Sequence, residues 1–223
     1  MKSPIPFSLS PLQARVLPFA LFLGLTFVQG WFGEASRYWI YALKSGVGAA
    51  LIWMIWPIVT EMRWRFSWEA LAAGFLVAAL WIGLDPFYPK LSVGTDATPW
   101  NPHTAFGNGT AQAWFFVVIR ILGSTLVVPP LEEVFYRSFL YRYLAHPDFD
   151  SIPLRGFRLG PFIITALVFG LAHHEWLAGI LCAAVYQGLV CWRGRLGDAI
   201  AAHAITNLLL GLWIVWQGAW HFW

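Results

Sequence analysis

Charge is scarce in this chain. Of its 223 residues, 11% are Asp, Glu, Lys or Arg, where a soluble domain carries about 25%. Cysteine is nearly missing: Cys182 and Cys191 are the only two. They sit nine positions apart on one apolar stretch, which on a helix separates them by about 13 Å, too far for a disulfide. There is no CxxC pair and no HExxH, no internal repeat and no low-complexity tract. The stretch from Met1 to Arg15 scatters Pro4, Pro6 and Pro11 among serines. It has no compact leader with a cleavage site, so the first apolar segment is expected to be retained.

Apolar and aromatic residues fill the space that charge leaves. The chain is 59% hydrophobic, with 15 Trp and 18 Phe, against about 45–50% apolar residues in soluble domains. This composition predicts an all-α fold: a polytopic membrane helical bundle of about seven to eight transmembrane helices, forming one integral membrane domain over residues 1–223. The lipid bilayer is then an obligatory partner. No nucleic-acid partner, cofactor or metal is expected.

The spans read as follows. The first covers about Val16–Phe32 and the second about Tyr38–Thr60, where Gly46 and Gly48 allow close helix approach. Lys44 lies inside the second and must snorkel or find a partner. The third covers about Ser67–Leu84. Asp85 to Gly109, rich in Pro and Gly, reads as a loop outside the membrane. Gln112–Val128 is apolar apart from Arg120, which needs a partner of its own. Pro129-Pro130 is expected to break this span and start a second helix running to about Leu144. Pro161–His174, Leu177–Trp192 and Ala199–Trp216 follow. Basic residues cluster at Lys2 and Arg15, at Arg63 and Arg65, from Arg137 to Arg158, and at Arg193 and Arg195. The positive-inside rule then sets the N-terminus inside and the C-terminus outside. The count is seven if the helix after Pro129-Pro130 continues the Gln112 span through a kink, and eight if it is separate. The arginine clusters favour seven.

Carboxylates within a membrane are costly and point to function. Glu132 and Glu133 are adjacent, so on a helix they point about 100° apart. Arg137 lies four residues after Glu133, which suits an ion pair and frees Glu132 to face elsewhere. A carboxylate in apolar surroundings suits a general base. The same spacing also suits a purely structural clamp with Glu132 solvated. His173 falls about 13 residues into its span, either as a packing residue or as a partner of Glu132. His174 and Glu175 read as interfacial. His203 and Asn207 share one helix face, either as two donors for an oxyanion or as an interhelical clamp.

Glu132-Glu133-x-x-x-Arg137, Phe169-x-x-x-His173 and His203-x-x-x-Asn207 together resemble the three ordered motifs of the CPBP family. These are intramembrane glutamic endopeptidases related to the CAAX prenyl protease of the Ras-converting-enzyme type. The resemblance covers about residues 126–211. The wording around Arg137 to Leu144 and His203 to Gly211 is similar to the CAAX-protease-related branch that accompanies bacterial exosortase systems. Tyr136 stands where the family often has Phe. The resemblance implies that Glu132 activates a water with His173 assisting. His203 and Asn207 would form the oxyanion hole, and Glu133 and Arg137 would support the site. It further implies a peptide or membrane-anchored protein substrate, lipidated or exosortase-linked, and a place in the bacterial inner membrane. Two other functions fit the same residues: a zinc-dependent membrane hydrolase using Glu132, His173 and His203, and a non-catalytic scaffold or immunity-type protein of the same fold.

Overall fold

The computed structural model describes residues 9–29, 31–91 and 99–223. Lys2, Pro4, Pro6 and the centre of the 85–109 loop lie outside the described residues. Helix α1 runs over Pro11–Phe27, α2 over Ser36–Ile55 and α3 over Trp68–Leu84. The long α4 is one continuous helical segment, Ala111–Ala145, of 35 residues. Then come α5 (Leu159–Leu171), α6 (Trp176–Arg193) and α7 (Leu196–Gln217). Among the described residues, five helices are long and apolar enough to cross a membrane, and α1 and α5 are shorter apolar helices.

Pro129-Pro130 does not end a span, so the helix that follows the two prolines continues the Gln112 segment and is not separate from it. The two prolines sit inside α4, where they locally change its winding. Other boundaries shift for local reasons. Helix α1 begins five residues earlier than expected. Ser10 Oγ accepts from the Gln13 N–H, and the Gln13 side chain accepts from the Ser10 N–H. This reciprocal cap, with Pro11 at the first helical position, fixes the start. Ser67 caps α3 through the Ala70 N–H.

The bundle is apolar outside, and its apolar interior also holds the polar groups. Leu21, Leu43, Phe75, Leu122 and Leu167 are exposed, while Glu133, Arg137, Thr165, Gln187, Asp198 and Thr206 are buried. Lipid offers no hydrogen-bond partner, so polar groups turn inward and find one another. Tyr186 Oη donates to Thr206 Oγ1, which donates to the Gly74 carbonyl, tying α6, α7 and α3. Of the two glycines expected to admit a neighbour, only Gly48 does: a Cβ there would meet Val127 at 2.5 Å, whereas at Gly46 it would meet nothing within 4 Å. The two cysteines are free and buried on α6.

Contacts sort the connections into two ends. At one end, Arg15 pairs with Glu61, Arg193 pairs with Glu69, and the Arg65 N–H donates to the Gly197 carbonyl. At the other, the Leu91 N–H donates to the His174 carbonyl and Trp176 Nε1 donates to the Pro89 carbonyl. Trp100 packs edge-on against Trp223 at that end.

Candidate active site

Helix α4 is wound with π-type turns on both sides of the paired glutamates, over Gly123–Val127 and Val134–Leu140. The first has a cause in sequence. Pro129 and Pro130 supply no N–H, and the Val128 N–H donates to Gly123, five residues back, instead of Ser124. The Ser124 carbonyl thereby loses its helical donor. Asn207 Nδ2 of α7 donates to it at 2.7 Å. One amide hydrogen of Asn207 is spent on this backbone repair, and the second remains for the cavity.

Glu132 and Glu133 diverge as their adjacency requires. Glu133 is fully buried behind the cavity wall. Its Oε2 lies 3.0 Å from Arg137 Nε, and its Oε1 accepts from His203 Nδ1–H at 2.9 Å. The Arg137 contact is an ion pair without hydrogen-bond alignment, and the guanidinium nitrogens have no other partner among the described residues. Aromatic faces surround that cation instead: its Cζ lies 4.5 Å from the Phe169 ring centroid and 5.5 Å from that of Tyr136. Tyr136 thus occupies its departure from the family pattern as a ring beside the buried guanidinium.

Glu132 faces a cavity of about 580 Å³ whose wall also carries Tyr136, His173, His203 and Asn207. Glu132 Oε2 is buried and has no hydrogen-bond partner among the described residues. His173 is not deep inside a span. Helix α5 ends at Leu171, and His173 lies in the turn that leads to α6. The turn is tight because α5 and α6 touch there: a Cβ on Gly170 would meet the Ile180 backbone nitrogen at 2.7 Å. His173 Nδ1–H donates to the Phe169 carbonyl at 2.7 Å, and its ring meets Trp81 edge-on. With Nδ1 occupied as a donor, Nε2 is left as the free ring nitrogen. Helix α7 begins three residues earlier than anticipated, and His173 belongs to a turn at a helix end.

Further ionisable groups line the cavity, and sequence reasoning did not join them to it. Glu175, expected at the interface, is buried against the bundle. Burial pushes its carboxyl above the usual range. Lys44 and Arg120 also face the cavity. Glu132, His173 and His203 share a wall, yet among the described residues no three His, Cys, Asp or Glu side chains come together at metal-binding spacing.

Residues 113–209 match the family described as type II CAAX prenyl endopeptidase Rce1-like. Residues 113–209 are thus similar to the Rce1-like family. The matched stretch contains Glu132, Glu133, Arg137, His173, His203 and Asn207, whereas α1, α2 and α3 lie before it. At the level of the family, the match supports a CAAX protease of the membrane acting on a protein. No curated protein and no solved structure matches the chain.

Proposed function

We propose that this Rce1-like chain is an intramembrane endopeptidase of glutamic type, acting on membrane-associated proteins through a water activated by Glu132. One observation carries the reading. Three separate stretches of sequence bring Glu132, His173, His203 and Asn207 to the wall of one cavity, and Glu132 presents there a buried carboxylate oxygen without a protein partner.

In this reading Glu132 takes a proton from the water as its oxygen adds to the scissile carbonyl carbon. His173 Nε2 orients that water. Negative charge develops on the former carbonyl oxygen, which meets the second amide N–H of Asn207. His203, oriented through Nδ1 by Glu133, completes the oxyanion hole with Asn207. Glu132 then returns the proton to the departing amine nitrogen as the C–N bond breaks. Glu133 and Arg137 position His203 and do not touch the reacting atoms.

The test compares membrane-protein termini in cells carrying the wild type and Glu132→Gln. A set of new termini that depends on Glu132 is the expected result. Identical termini, with the variant expressed and inserted, would overturn the reading. A cellular phenotype retained by that variant would instead favour a scaffold.

A further inference from the structure

The two ends of the bundle differ in charge. At the end where Arg15 pairs with Glu61, the connections and helix ends carry Arg63 and Arg65, Arg155 and Arg158, and Arg193 and Arg195. Arg15 and Arg142 stand at the same level, both donating to Ser138 Oγ. That makes eight arginines among the described residues. The opposite end, where Trp100 meets Trp223, has Arg37 and Lys90. Adding Lys44 and Arg120 from the nearby helices still leaves it outnumbered two to one. An excess of Lys and Arg marks the cytoplasmic side of a membrane protein.

The cavity that holds Glu132 leads to the other end. Its wall includes Thr26 from the last turn of α1, His174 and Glu175 from the turn before α6, and Phe222 and Trp223 beyond α7. Along α7 the lining runs inward from Ile214 to His203, eleven residues or about 16 Å. Toward the arginine-rich end the cavity is closed twice. The rings of Phe19 and Phe135 stack with centroids 4.4 Å apart, and Tyr136 meets Phe169 edge-on at 5.0 Å, which makes an aromatic floor. Behind the floor, Ser138 follows Glu132 by six positions on α4. Its hydroxyl bonds Arg15, Glu61 and Arg142, joining α1, the 60–62 turn and α4. Among the described residues, none from the arginine-rich connections lines the cavity.

We propose that the cavity is entered from the noncytoplasmic face of the membrane, and that its substrates are membrane-anchored proteins whose scissile segment lies on that face. A segment arriving there passes Trp223, Arg120 and Lys44 before it meets Glu132. A segment on the cytoplasmic face meets the closed, arginine-rich end instead. This inference rests on the proteolytic reading of the same cavity.

The test measures access and cleavage separately. Single cysteines are placed in the full chain carrying Cys182→Ala and Cys191→Ala. Ala105→Cys and Ser151→Cys lie exposed at the tryptophan and arginine ends and report orientation. Leu210→Cys and Val128→Cys, on two helices of the cavity wall, report its mouth. The probe is a membrane-impermeant methanethiosulfonate bearing a sulfonate, a charge that Lys44 and Arg120 attract. It is added to right-side-out and to inside-out vesicles of the cell membrane. Ala105→Cys and both cavity variants should react in right-side-out vesicles, and their labelling should be lost in inside-out ones. Ser151→Cys should do the opposite. Cavity cysteines that react from the cytoplasmic side or from both sides would overturn the inference. So would cavity cysteines that react only after detergent dissolves the bilayer, which would open the cavity to lipid alone. In the cleavage arm, termini that depend on Glu132 should fall in noncytoplasmic segments of membrane-anchored proteins. Such termini in cytoplasmic segments defeat the inference and leave proteolysis standing. Outward access with no terminus that depends on Glu132 keeps the orientation and defeats the proteolytic reading.

Discussion

His203 Nδ1 lies 2.9 Å from Glu133 Oε1, and this bond joins the paired glutamates of α4 to α7 inside the bundle. The adjacent carboxylates thereby have separate tasks. Glu133 fixes a ring and an arginine behind the wall, and Glu132 is left facing the cavity.

Replacing Glu132 by Gln keeps the shape of the side chain and removes its basicity. Hydrolysis should fall to background with expression and membrane insertion unchanged, because no other protein group depends on Glu132 Oε2. Single-turnover assays with a cleavable peptide measure this, and wild-type turnover by the variant would defeat the mechanism.

Arg137 and Glu133 both have fully buried side chains. Arg137→Met leaves a buried carboxylate with His203 alone, and the loss of folded stability should be about 3–5 kcal/mol. Adding Glu133→Gln to Arg137→Met should recover part of that loss, since no charge is then left unpaired. Detergent melting curves of the single and double variants give the comparison. A double variant less stable than the single one would show that the pair is not the source of the cost.

Asn207→Ala removes a cavity donor and also the donor to the Ser124 carbonyl. The first loss should lower kcat by about 10²–10³-fold with little change in KM. The second should cost about 1–3 kcal/mol of stability, because the carbonyl is left unpaired. If KM rises at constant kcat, Asn207 holds substrate in its ground state.

Glu61 lies between α2 and α3, outside the spans. Burial pushes its carboxyl up, but the Ser138 hydroxyl and the Arg15 guanidinium outweigh burial and hold it below its ordinary value of 4.5. The fold thus favours the ionised form. The stabilisation is complete above the ordinary value and disappears as pH falls through the depressed one. Wild-type melting temperature should drop through that acid window, and Glu61→Gln should flatten the drop. Parallel acid limbs in both proteins would place the loss elsewhere.

Much of the frame was legible in the sequence. The helical bundle follows from the apolar runs, and the Glu133–Arg137 pair follows from a spacing of four. What escaped depends on backbone bonds that no side-chain pattern announces. The π-type winding of α4 removes a donor from Ser124, and only then does Asn207 acquire a backbone partner. His173 seemed deep in a helix because the apolar run continues to Ala172, although the helix closes at Leu171. Lys44 and Arg120 each called for a partner by their position in apolar runs. Tyr41 as their common ring belongs to tertiary structure, 76 residues of chain being folded back to bring the two together.

Helix α5 has 13 residues, a length of about 20 Å, while the hydrocarbon layer is about 30 Å thick. A bilayer meeting so short a wall thins beside it. Hydrolysis in lipid would consume a molecule that lipid excludes, and in the proteolytic reading a thinned bilayer beside α5 would shorten the path by which that molecule is replaced.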